Sequence, residues 1–176
     1  MKKKAFVLAC LYLLTLLPAC AQESSLITDD DRAEIYAAVI SYVYEVDNTF
    51  GGDKRFSVIY LPRYTDDSVG DPASGEADSE LLPESLQKAI VAGLEGLPAE
   101  FIWVDDRDEV PMNVGSVAGD GAIITVGNIH LQGDGSVQVA ASIYFANLGA
   151  GGATYIVEET DGDWQVTGDT GVRWIS

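Results

Sequence analysis

From Ala122 onward the chain is a succession of β-branched and aromatic runs cut by glycine and aspartate. Ala122–Leu131, Val137–Leu148, Ala153–Glu159 and Trp164–Thr167 read as strands, joined at Gly133-Asp134-Gly135, at Gly149 to Gly152 and at Asp161-Gly162. Glycine and aspartate at such joints supply the positive φ that tight hairpins need, so the segment predicts an antiparallel meander, with Val172–Ile175 as a further edge strand. If Leu131 faces Val137, strict alternation puts Ile123, Ile129 and Leu131 on one face with Val139, Ala141, Ile143 and Phe145. That face is almost wholly apolar and has to be covered. The opposite face, with Asn128, His130, Gln138, Ser142 and Tyr144, is mixed and tolerates water.

The cover comes from upstream. Thr28 followed by three aspartates reads as a capped helix start, and Ile35, Ala38 or Val39, Tyr42 and Val46 recur at helical spacing, predicting a helix from about Asp30 to Asp47 that Gly51-Gly52 stops. Phe56–Leu61 reads as a short strand closed by Pro62. Pro83, then Leu86, Ile90 and Leu94, mark a second helix ended by Gly96 and Pro98, and Phe101–Val104 another strand. Between these lie two acidic loops, one from Arg63 to Ser85 and one from Asp105 to Gly121.

Two helices, intervening strands and a meander ending in "TYIVEETDGDWQV" resemble the NTF2-like superfamily, an α+β cone with two helices packed on a curved antiparallel sheet. The competing arrangement is a cystatin-like sheet wrapped on one helix. The NTF2-like resemblance implies a pocket between helices and concave sheet, in which some members are enzymes using an Asp or His beside a Tyr. His130 is the chain's one histidine and so the first candidate for a general base. Register sends it to the mixed face, away from that pocket, and so predicts a solvent-facing side chain, leaving no catalytic residue assigned. Nucleophile elbows and zinc-ligand sets are missing from the sequence. Tyr36, Tyr42, Tyr44, Tyr60, Phe50, Trp103 and Trp164 read by default as core, the alternative being the lining of an apolar pocket.

At the N-terminus, Lys2, Lys3 and Lys4 precede an uncharged apolar run of 13 residues, Ala5–Leu17. A spanning helix needs roughly 20 apolar residues, so this is the anatomy of a signal peptide rather than of a permanent span. The stretch "LPAC" resembles the lipobox of bacterial lipoproteins, with Leu17, Ala19 and the acceptor Cys20; Pro18 departs from the pattern. The alternative is cleavage behind Ala21, releasing a soluble protein. The only other cysteine, Cys10, lies within the leader, so Cys20 has no disulfide partner in the mature chain. The expected organisation is a signal peptide over 1–19, a lipidated N-terminus and short tether over 20–27, and a single α+β domain over 28–176.

With the three leader lysines gone, seven basic residues face 28 acidic ones, a balance of −21. Such a field repels phosphate backbones and anionic lipid, which argues against nucleic acid as a partner and leaves membrane attachment to acyl chains on Cys20. In the first acidic loop Asp66, Asp67 and Asp71, followed by Glu76, Asp78 and Glu80, are candidate oxygen ligands for calcium, although the spacing is not that of an EF-hand. The chain therefore reads as an exported, membrane-anchored cell-envelope lipoprotein whose domain binds an unidentified small molecule or envelope protein. The alternative is a small exported enzyme of isomerase or hydrolase type with an NTF2-like pocket.

Overall fold

The computed structural model describes residues 27–49, 54–75 and 78–176; the leader, Cys20, Phe50, the Gly51-Gly52 stop and Glu76 lie outside them. Helix α1, Asp29–Glu45, starts as expected: the Thr28 side chain accepts from the Asp31 amide, and the Asp31 carboxylate accepts from the Thr28 amide. Three aspartates in the first turn face the positive end of the helix dipole. Strand β1, Val58–Pro62, leads through the first acidic loop to helix α2, Glu84–Gly93, which begins behind Pro83 and buries Leu86 and Ile90, with Leu94 buried just after it. Strand β2, Glu100–Val104, follows. The second acidic loop holds a miniature hairpin that composition did not reveal, β3 at Met112–Asn113 and β4 at Ser116–Val117.

The meander consists of β5, Gly121–Leu131, β6, Val137–Ala146, β7, Gly149–Thr160, and β8, Asp163–Ile175. Among the described residues the fold is α+β, with two α-helices and one eight-stranded sheet. Along its main path the strands run β2, β1, β5, β6, β7, β8, and β4 adds to the end of β6 through Ser116 opposite Ala146. The meander is antiparallel as expected, but the sheet as a whole is mixed, because β1 runs parallel to both β2 and β5. A parallel partner requires a crossover rather than a hairpin, and α2 provides the one between β1 and β2.

Three finer expectations change. The stripe on α1 is broader than predicted and rotated: Ile35, Tyr36, Val39, Ile40, Val43 and Tyr44 are buried, Tyr42 is half-buried and Val46 exposed. The helix is flanked by the sheet and by α2, whose Gly93 sits so close that a Cβ there would lie 2.9 Å from the Ala37 methyl. Second, Gly149–Gly152 is not a turn but the start of β7. The glycines are there for clearance: a Cβ on Gly149 would run into the Phe145 ring, and one on Gly152 would sit 2.3 Å from the Val69 carbonyl oxygen. Third, β8 is one strand with irregular pairing to β7, not two separate pieces.

The predicted register of the first hairpin holds at its turn, where Leu131 pairs with Val137 and His130 with Gln138. Further along, β5 carries a bulge between Val126 and Ile129 that inserts one residue and reverses the alternation. Ile124 and Val126 therefore join the core beneath the helices, with Val139, Ala141 and Ile143 of β6. Ile123 moves to the other face, in a second small cluster with Val104, Val110 and Val117 under the β3–β4 hairpin. Tyr36, Tyr44 and Phe56 occupy the space between the helices and the sheet, while Trp103 and Trp164 pack at its margin.

Candidate functional site

The bulge organises the outer face of the sheet. At a bulge one residue loses its place in the ladder, and here the amide of Asn128 is turned outward to donate to Asp67 Oδ1 at 2.6 Å. Asn128 Nδ2 donates to Asp67 Oδ2 at 2.9 Å, so one side chain is gripped twice by one residue. Gly127 makes the approach feasible, since a Cβ there would lie 2.6 Å from Asp67 Oδ1. His130 Nε2 stands 3.2 Å from Asp67 Oδ2, within ion-pair distance when the ring is protonated. The aspartate's side chain is 6% exposed and the histidine's 53%, so a buried acceptor holds a ring that still meets solvent.

Asp67 belongs to a single 3-10 turn, Asp67–Val69, in the first acidic loop. In the sequence that loop is marked only by its acidic residues. Its first half lies on the mixed face of the sheet, tied by the Asp66 amide to the Val126 carbonyl at 2.9 Å and by the Trp174 indole to the Val69 carbonyl at 2.7 Å. Buried Thr65 continues the polar path: its hydroxyl donates to Asn128 Oδ1 at 2.6 Å and accepts from the Glu80 amide at 2.7 Å. Glu80 in turn takes Arg32 of α1 at 3.1 Å. Nearby, burial pushes the Tyr36 phenol up to about 12, an effect the Arg32 guanidinium opposes and the carboxylates of Glu80 and Asp67 reinforce.

Between this loop and strands β5 to β8 opens a cleft of about 640 Å³, lined on the loop side by Asp67, Asp71, Ser74 and Asp78. His130, Gln138, Thr154 and Thr170 project from the strands into the same space. Among the described residues that line it there is no lysine or arginine. Carboxylates without counter-cations in a concave wall concentrate negative potential, which attracts cations and repels anions.

His130 is on the mixed face as the register predicted, and half-exposed; what strand alternation could not reveal is Asp67 behind it. Of the calcium candidates, Asp66 Oδ1 accepts from the Ser68 amide at 2.9 Å and hydroxyl at 2.6 Å, Asp71 Oδ1 accepts from the Ala73 amide at 3.0 Å, and Asp67 is turned into the sheet. Among the described residues no group of three or more His, Cys, Asp or Glu side chains is placed to hold a metal ion. Asn128 and Thr65 were not candidates in the sequence. The available signal was Gly127, a glycine inside a strand pattern, which marks a bulge or a close backbone approach.

A second ionic group lies on the helix side. Asp47, just beyond α1, accepts from the Tyr155 hydroxyl at 2.7 Å and pairs with Arg173, which also meets Asp169 at 3.2 Å. Burial raises the Tyr155 phenol far above its ordinary range, and the bond to Asp47 adds to that. Tyr42 packs edge-on against the Tyr155 ring at 5.5 Å, so this group stitches β8 to the helix layer. No family model, curated protein or solved structure matches the chain. Among the described residues no helix is long and apolar enough to cross a membrane.

Proposed function

We propose that this chain is an exported cell-envelope lipoprotein, anchored by acyl chains on Cys20, whose NTF2-like domain is a binding module for a small cationic ligand held in the outer cleft. The observation that carries the binding reading is the contrast between the two faces of the sheet. The helix side is occupied by side chains such as Tyr36, Tyr44 and Phe56, whereas the outer side keeps an open polar cleft of about 640 Å³ with three aspartates in its wall. Two helices packed together over a sheet that ends in a meander support the NTF2-like reading over a cystatin-like one, which wraps a single helix. The envelope assignment is supported by the leader and by a cysteine with no partner.

Two experiments test this. In a bacterial host, labelling with a radioactive fatty acid and membrane partition are expected for the wild type and lost in Cys20→Ala; unchanged labelling in the variant removes the anchor. Calorimetric titration with phenyltrimethylammonium is expected to show saturable binding that the paired substitution Asp71→Asn and Asp78→Asn weakens, while benzenesulfonate shows none. Equal uptake of both ions would remove the cationic-ligand reading. One observation favours the alternative, a small exported enzyme of hydrolase type: the pairing of buried Asp67 with His130 at 3.2 Å.

A further inference from the structure

We propose that His130 is a general base for the hydrolysis of esters that carry a positive charge, with Asp67 as its positioning residue. The inference rests on the reading of the outer cleft as the ligand site and adds a reaction to it. A histidine works as a base when one ring nitrogen is held as a donor by a fixed acceptor, which sets the tautomer and stabilises the imidazolium that forms. Asp67 is placed to be that acceptor, its Oδ2 3.2 Å from His130 Nε2. Two bonds from Asn128 fix it, and the Thr65 hydroxyl, at 2.6 Å, orients the Asn128 amide in turn. With Nε2 facing Asp67 Oδ2 at 3.2 Å, Nδ1 is the ring nitrogen left to act as the base.

The support is more elaborate than anchoring a loop requires. A bulge, a strand glycine and a buried threonine all converge on one carboxylate, and the loop has separate ties through the Asp66 amide and the Trp174 indole. Gln138 lies directly across the strand pair from His130 and lines the same cleft. Asp71 and Asp78 select the substrate: esters that also bear a phosphate, sulfate or free carboxylate group are repelled, and an ester bearing an ammonium group is drawn in.

The step balances with water as the only co-reactant. His130 Nδ1 takes a proton from water as the water oxygen bonds to the carbonyl carbon. The bond from that carbon to the leaving oxygen then breaks, and the proton passes from His130 to the departing alkoxide. The products are a carboxylic acid and an alcohol, with no change in oxidation state.

The test follows phenol release from 3-acetoxy-N,N,N-trimethylanilinium by the exported chain in mild detergent, with acetylsalicylate as the anionic comparison and calorimetry on phenyltrimethylammonium alongside. Expected are saturable turnover of the cationic ester and none of the anionic one. His130→Gln is expected to lower kcat about 100-fold with KM held, and Asp67→Asn about tenfold, again with KM held. Turnover insensitive to His130→Gln overturns the proposal. So does binding of phenyltrimethylammonium without ester turnover, a result that leaves the cleft intact as a binding site. Failure of the cation to bind at all overturns both.

Discussion

Asp67 is a carboxylate placed where a carboxylate is costly unless its oxygens are satisfied, and two bonds from Asn128 satisfy it, with His130 3.2 Å away. Removing it leaves the Asn128 amide and side chain without their acceptor in a half-buried site, a loss of about 1–3 kcal/mol. Asp67→Ala is therefore expected to lower the denaturation midpoint of the purified domain, and Asn128→Ala to do the same by a similar amount, the double variant costing less than the sum because both delete one network. Additive losses would show that the pair does not act as a unit. A second residue-scale expectation concerns pH. The bonds from Thr28 hold the Asp31 carboxyl below the usual aspartate value, with the Trp164 indole adding to them. A group lowered in the folded state contributes stability above its unfolded value of about 3.9 and loses it as pH falls through the lower folded value. Asp31→Asn is thus expected to lower the melting temperature at pH 7 and to have little effect near pH 2, checked by thermal scans at both. Thr28→Ala is expected to cost about 1 kcal/mol through loss of the cap.

At the scale of elements, the first acidic loop is a strap rather than a tether. Its clamp is the Trp174 indole on the Val69 carbonyl, and its fit over β7 depends on Gly152 having no side chain. Trp174→Phe keeps the ring and deletes the bond, with an expected cost of about 1 kcal/mol, and Gly152→Ala pushes the strap outward. Both are expected to speed amide exchange in Thr65–Gly70 while leaving exchange in α1 unchanged, measured by mass spectrometry; faster exchange confined to the helix would contradict the strap. The elements that sequence made legible are the ones whose causes are local. The cap on α1, the start of α2 behind Pro83, the turn at Asp161-Gly162 and the pairing of Leu131 with Val137 all follow from residues close to one another in the chain. What was not legible depends on distant partners. Val58–Pro62 looks the same as an antiparallel or a parallel strand, and only the route through α2 decides. Ile123 was placed on the wrong face because alternation was carried straight through Gly127-Asn128, where the acceptor that stabilises the bulge, Asp67, lies in a loop some sixty residues earlier.

For the whole molecule, the two faces of the sheet divide the work. The helix side holds the main core, closed along one border by Asp47, Tyr155 and Arg173, and the outer side carries the strap and the cleft. With the proposed loss of the leader the balance is −21, and a domain so charged has no electrostatic attraction to anionic lipid. The Cys20→Ala chain is accordingly expected to stay in the supernatant when sedimented with phosphatidylglycerol vesicles, and co-sedimentation would point to a lipid contact other than the proposed acyl anchor. The His130–Asp67 pair illustrates how the candidate site was half legible: composition singled out the one histidine and alternation placed it on the outer face, but its partner is supplied by the folding of the strap. The most direct test of the account is a map of amide chemical shifts during titration with phenyltrimethylammonium. The prediction is that shifts concentrate at Asp67, Asp71, Asp78, His130, Gln138, Thr154 and Thr170. Shifts concentrated instead at Ile40, Tyr44, Val139 and Ile143, between the helices and the sheet, would contradict it.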